Sequence, residues 1–146
     1  IEIPEAPDPA VLGRTLTAMK EFAAKHDDLR MSAMIVPNAS LVMRDYLPAN
    51  APAHNQQEDL FTVNQALSPC MQYADVTLAL KAHVRDGVFY RTDHHWTTNG
   101  AYLAYLAYCA AKDLTPVDLS KLGLGGAAWD RDADHELSRP CPDQLL

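Results

Sequence analysis

The chain is predicted to fold as an α/β sandwich on a mostly parallel sheet, because its elements read helix, strand, helix, strand, strand, helix. Three observations carry this. A helix-period stretch over residues 9–25 leads into a compact apolar run at 31–36 that stops at Pro37-Asn38. Two more short apolar runs, 73–76 and 88–90, lie beside helical stretches or turn residues. The prolines cluster at positions 4–69 and 116–142, so 71–115 is free of them and should hold much of the regular structure.

Asp8-Pro9 is a good helix start, a capping side chain followed by a proline whose missing N–H the first turn does not need. Leu12, Leu16, Met19 and Phe22 or Ala23 then recur at helical spacing, and His26-Asp27-Asp28 ends the helix. The run 31–36 is read as a buried strand. Its end would point at the ligand side of an α/β sheet, which makes Asn38 a cleft candidate.

Residues 39–56 are expected to form a short helical turn and an irregular loop, and 57–67 a helix with Leu60, Val63 and Leu67 on one face. Residues 73–76 are read as a second strand, 77–83 as a helical turn, and 88–90 as a third strand after the Asp86-Gly87 turn signal. From Thr98 a helix presents Ala101, Tyr102, Tyr105, Leu106, Tyr108 and Cys109 over two faces, a pattern expected of a buried helix. Beyond Thr115-Pro116 the periodicity fades. Residues 1–122 are thus assigned to one α/β domain and 123–146 to an irregular tail. Three strands make a thin sheet, so the domain is expected to be incomplete in this chain, with a parent-chain segment or a second copy covering what is left open.

A chain of 146 residues that is 48% hydrophobic can fill one core, so a single domain is the expectation. The net charge of −7, with no Lys/Arg cluster, disfavours nucleic acid as a partner. No run of about 18 apolar residues occurs, and Ile1 opens the chain without the regions of a signal peptide, so membrane association is expected only through a segment absent here. Cys70, Cys109 and Cys141 lack C-x-x-C spacing, which argues against a structural zinc site and a disulfide scaffold; Cys109 is read as a small buried hydrophobe.

Chemistry concentrates in Asp93-His94-His95-Trp96, between a strand candidate and a helix. A carboxylate can orient an imidazole and stabilise its charged form while the ring takes a proton from a hydroxyl nucleophile, and Asp93 and His95 are the candidate pair. Other readings stay open. Asp93 could cap the helix that begins near Thr97, with the histidines as satisfied polar groups. A metal could also bind, but His83 or His54 would have to complete the set and no H-x-x-x-H or H-E-x-x-H spacing supports it; no metal or cofactor is expected.

The segment Tyr90-Arg91-Thr92-Asp93-His94-His95-Trp96-Thr97-Thr98-Asn99-Gly100-Ala101-Tyr102 resembles the signature of the bacterial DHHW family. It is more distantly similar to the D-x-H-W block of alginate O-acetyltransferase proteins with an SGNH-hydrolase-like domain. Upstream, Ile35-Val36-Pro37-Asn38 and Tyr46-Leu47-Pro48 look like the family's strand, proline and Y-L-P segment, although Asn38 stands where a lysine is common. The resemblance implies a flavodoxin-like three-layer α/β fold and, in active members, a Ser-His-Asp triad moving acyl groups on or off carbohydrate hydroxyls outside the cytoplasm.

By that resemblance Asp93 is the orienting acid and His95 the general base, while His94 takes the variable position. Trp96 would pack beside the imidazole or act as a plain core anchor. His94, Trp96, Asn38 and Arg91 are the substrate-cleft candidates. The family's serine follows this block in a G-D-S-like context at a strand end, whereas Ser120 and Ser138 fit no such context. The expectation is an SGNH-like esterase or O-acyltransferase domain acting on extracytoplasmic polysaccharide, anchored to a membrane elsewhere and inactive in this chain alone. A non-catalytic carbohydrate-binding or envelope-assembly module is the alternative, and a metal-dependent hydrolase the second.

Overall fold

The computed structural model describes residues 5–118 except 53 and 92. The elements run α1 (Pro9–Lys25), β1 (Ser32–Met34), α2 (Ala39–Val42), a 3-10 turn (Arg44–Tyr46), α3 (Gln56–Leu67), β2 (Gln72–Ala74), α4 (Thr77–Ala82), a second 3-10 turn (Val84–Asp86) and α5 (Thr98–Ala111). Helix α1 starts as its sequence dictates. Asp8 Oδ1 accepts the N–H groups of Ala10 at 2.7 Å and Val11 at 3.3 Å, with Pro9 as the first helical residue.

Strands β1 and β2 pair in parallel, Ser32 opposite Gln72, Ala33 opposite Tyr73 and Met34 opposite Ala74. Alternation along β1 serves two helical layers. Ala33 joins Leu16 and Ala23 of α1 and Leu67 of α3, with Met71 and the half-buried Tyr73 closing that cluster. Met34 packs on the opposite cluster of Ala39, Val42, Val76, Leu80, Val88, Phe89 and Ala104. Ser32, two residues back from Met34, meets the Tyr108 hydroxyl of α5 at 3.1 Å. The result among the described residues is an α/β fold, with α1 and α3 on one face of a small parallel sheet and α2, α4 and α5 toward the other.

Two expectations need correction. Residues 88–90 are not a third strand. Phe89 pairs with Trp96 in an isolated antiparallel bridge, because the chain doubles back within a few residues and satisfies its backbone locally. Nor is α5 buried all round. Gly100, Ala104 and Cys109 are buried, whereas its tyrosines are half-exposed and place their hydroxyls on polar partners, Tyr108 on Ser32 and Tyr105 accepting the Val117 N–H at 2.9 Å. Cys109 is a buried free thiol, as its apolar setting implied, and Cys70 is free and exposed. Cys141, Ser120, Ser138 and the tail 123–146 lie outside the described residues.

Candidate active site

The 93–95 segment is held by a locked hairpin. Gly87 takes a left-handed conformation at φ +68°, after which Val88 and Phe89 enter the core. The chain returns so that the Tyr90 N–H donates to the His95 carbonyl at 3.2 Å and the Thr97 N–H to the Val88 carbonyl at 3.0 Å. The Thr97 hydroxyl donates to the Gly87 carbonyl at 2.6 Å and accepts the Gly100 N–H at 3.1 Å, so one side chain ties the hairpin base and caps α5. Asn99 Nδ2 adds a bond to the Asp86 carbonyl at 2.9 Å.

Val88, Phe89 and Trp96 share a cluster with Val36, Ala39 and Val76, which lie just beyond the carboxyl ends of β1 and β2. The hairpin therefore stands at the end of the sheet where α/β folds form ligand sites.

The double use of Thr97 has a measurable consequence. Thr97→Val keeps the shape but strands the Gly87 carbonyl and the Gly100 N–H, and is expected to destabilise the protein by about 1–3 kcal/mol in urea unfolding. Thr77 is the matched control. Its buried hydroxyl has no hydrogen-bond partner among the described residues, so Thr77→Val is expected to be neutral or stabilising.

On this hairpin Asp93 serves two imidazoles. Its Oδ2 lies 2.7 Å from His95 Nδ1, while Oδ1 accepts the His94 N–H at 2.6 Å and lies 3.3 Å from His94 Nδ1. The two rings stack at 4.1 Å between centroids with 32° between planes. A carboxylate only accepts, so His95 carries its proton on Nδ1 in this bond and the Nε2 lone pair is left for a proton. All three side chains are open to solvent, His95 at 63% exposure, so this lone pair can meet a substrate.

The His95 hydrogen bond, aided by the backbone N–H groups of His94 and His95 and the imidazole charge, holds the Asp93 carboxyl below the ordinary aspartate range; burial opposes this only in part. A depressed carboxyl keeps its favourable contacts above its unfolded pKa and loses them as pH falls through its folded value. Because Asp93 is exposed, the effect is best read at the group itself. The 13C carboxyl titration midpoint of Asp93 is expected below that of free aspartate, and should move back up in His95→Ala.

Asp93 and His95 come together as expected, and Asp93 does not cap α5, since Thr97 does. Trp96 packs on the core as an anchor, and the ring stacked on His95 is that of His94. Arg91 is exposed on the same loop. Asn38 is occupied elsewhere: Oδ1 caps α2 through the Ser40 N–H at 3.0 Å, and its N–H donates to Gln56 Oε1 at 2.7 Å. No hydrogen bond joins Asn38 to the 93–95 segment among the described residues.

His54 and His83 do not complete a metal set with Asp93, because each pairs with a carboxylate of its own, Asp59 at 2.5 Å and Asp86 at 2.8 Å. The third donor beside Asp93 and His95 is instead His94. Sequence reasoning missed the roles of Thr97, Asn99 and Gly100. A capping Thr three residues before a Gly, directly after the D-x-H-W block, was the available signal.

A family model described as the SGNH hydrolase-like domain of the acetyltransferase AlgX matches residues 5–123, in accord with the likeness to alginate O-acetyltransferase proteins carried by the Asp93 block. No curated protein and no solved structure matches the chain.

Proposed function

We propose, on the premise that the chain belongs to the family of SGNH hydrolase-like domains of the acetyltransferase AlgX, that it carries the acid–base half of an acyl-transfer site acting on polysaccharide outside the cytoplasm. The hydrogen bond of 2.7 Å between Asp93 and His95 Nδ1 carries this reading, because in the neutral ring it directs the proton to Nδ1 and leaves the Nε2 lone pair as the acceptor. His95 Nε2 takes the proton of a serine hydroxyl as its oxygen attacks the acyl carbonyl. The imidazolium, stabilised by Asp93, then protonates the leaving oxygen of the donor. A sugar hydroxyl, or water in an esterase, attacks the acyl-serine in turn and gives its proton to His95. Collapse frees the serine with its proton restored.

The serine is assigned to a part of the protein beyond the described residues. Ser32 is bound to Tyr108, Ser40 is buried against Asn38, and Ser68 bonds back to the Asn64 carbonyl. Arg91 and His94 are proposed to line the cleft beside the dyad, with acetylated sugar or carbohydrate polymer as the ligand. No helix among the described residues is long and apolar enough to cross a membrane; membrane anchoring, where it occurs, is assigned to the full-length protein. The remainder of the sheet is assigned to a parent-chain segment or a second copy.

The test is hydrolysis and transfer of acetyl groups from a small acetyl ester by the full-length protein, comparing wild type with Asp93→Asn and His95→Ala. Equal rates in all three overturn the reading. The exposure of Arg91, His94 and His95 on one loop suits one further possibility, a module that binds glycan without turning it over. Binding of an acetylated glycan that persists unchanged in His95→Ala, with no turnover by the wild type, would establish that alternative.

A further inference from the structure

The hairpin places three metal-ligating groups together that the acyl-transfer reading does not use as a set. One ligand atom each from Asp93, His94 and His95 falls within a span of 4.8 Å. We propose that these residues form a binding site for a divalent transition metal of the zinc class, and that filling it switches off the general base. The consequence for the base rests on the acyl-transfer reading, whereas the metal site itself does not.

The donor set suits a borderline cation, two imidazoles and one carboxylate with a fourth position for water. Zinc bonds of about 2.0–2.2 Å at tetrahedral angles put neighbouring donors about 3.3–3.5 Å apart. His94 Nδ1 and Asp93 Oδ1 already stand 3.3 Å apart. His95 Nδ1 stands 2.7 Å from the other oxygen, Oδ2, so the carboxylate turns one oxygen to each ring, and a bound ion draws one donor of each residue in from the present span of 4.8 Å. Both histidines meet the carboxylate through Nδ1, and their rings lie stacked at 4.1 Å between centroids. The three side chains are exposed, so neither the adjustment nor the entry of an ion has to open the core.

The switch follows from imidazole chemistry. In the metal-free dyad His95 has its proton on Nδ1, donated to Asp93, and its lone pair on Nε2. A metal on Nδ1 requires that proton to leave, so the neutral ring carries its single proton on Nε2. The nitrogen that should accept a proton is then already protonated. Metal binding and general-base catalysis exclude each other at this residue, with one hydrogen bond exchanged for one coordinate bond and no redox change.

The experiment is titration of the chain with zinc chloride, followed by calorimetry and by 15N NMR of the imidazole nitrogens. Saturable binding of one equivalent is expected, with His95 passing from the Nδ1–H to the Nε2–H form. Asp93→Asn and His94→Ala should each weaken binding at least tenfold, while His54→Ala and His83→Ala leave it unchanged. Lack of saturable binding, binding undiminished in His94→Ala, or a His95 proton that stays on Nδ1 at saturation would each overturn the proposal. His94 is exposed, so its replacement leaves the fold intact, which the amide spectrum verifies. An Nε2–H form already present without metal would sink the general-base reading and the switch with it, leaving the metal site to be judged by the binding data alone.

Discussion

Full-length protein carrying His95→Ala is expected to keep only about one part in 10³ to 10⁴ of the wild-type rate of acetyl transfer, with substrate affinity little changed. The loss falls on kcat because the proton moves only as the transition state forms. Asp93→Asn should come close to the same loss for a different reason. The amide can offer N–H to Nδ1 where the carboxylate could only accept, which favours the tautomer with its proton on Nε2, the wrong nitrogen. Thermal stability separates these effects from misfolding. His95 is 63% exposed and Asp93 46%, and neither side chain belongs to a core cluster, so both variants should unfold within a degree or two of wild type. Trp96→Ala, which removes a core anchor, should lower stability and activity together.

What the sequence made legible was local. Helix α1 could be bounded at Pro9 and Lys25 because cap, proline and apolar spacing all lie within one segment. The pairing of Asp93 with His95 was legible for the same reason, two residues on one short loop. The strands were harder. The apolar run 31–36 narrows to Ser32–Met34, because a strand extends only as far as its partner, and β2 offers three residues. Val88, Phe89 and Tyr90 carry strand-like side chains, yet their pairing was decided by a chain reversal that brings Trp96 opposite Phe89. The stacking of His94 on His95, and the turn of Trp96 toward the core, depend on side-chain packing that no spacing rule encodes.

Gly100 is where the hairpin and α5 are most tightly bound to one another, and Gly100→Ala is expected to destabilise the protein by about 1–3 kcal/mol. A helix interior normally gains up to about 1 kcal/mol when alanine replaces glycine, through lower backbone entropy in the unfolded chain. Here that gain is opposed by a collision. A Cβ on Gly100 would stand 2.3 Å from the Val88 carbonyl oxygen, 3.1 Å from its carbon and 3.3 Å from Trp96 Cβ. The oxygen is backbone and accepts the Thr97 N–H, so it cannot swing aside as a flexible side chain would. Relief requires α5 and the hairpin to separate, which disturbs the Phe89–Trp96 bridge and the hydroxyl bonds of Thr97, and with them the spacing of Asp93 and His95. The Asp93 carboxyl midpoint should accordingly rise toward the ordinary value in Gly100→Ala. Gly13 in α1 supplies the opposite sign, since a Cβ there would meet nothing within 4 Å, and Gly13→Ala is expected to stabilise by about 0.5–1 kcal/mol. Urea unfolding of the two variants side by side makes the comparison, and a Gly100→Ala protein as stable as Gly13→Ala would mean that α5 does not rest on the Val88 carbonyl.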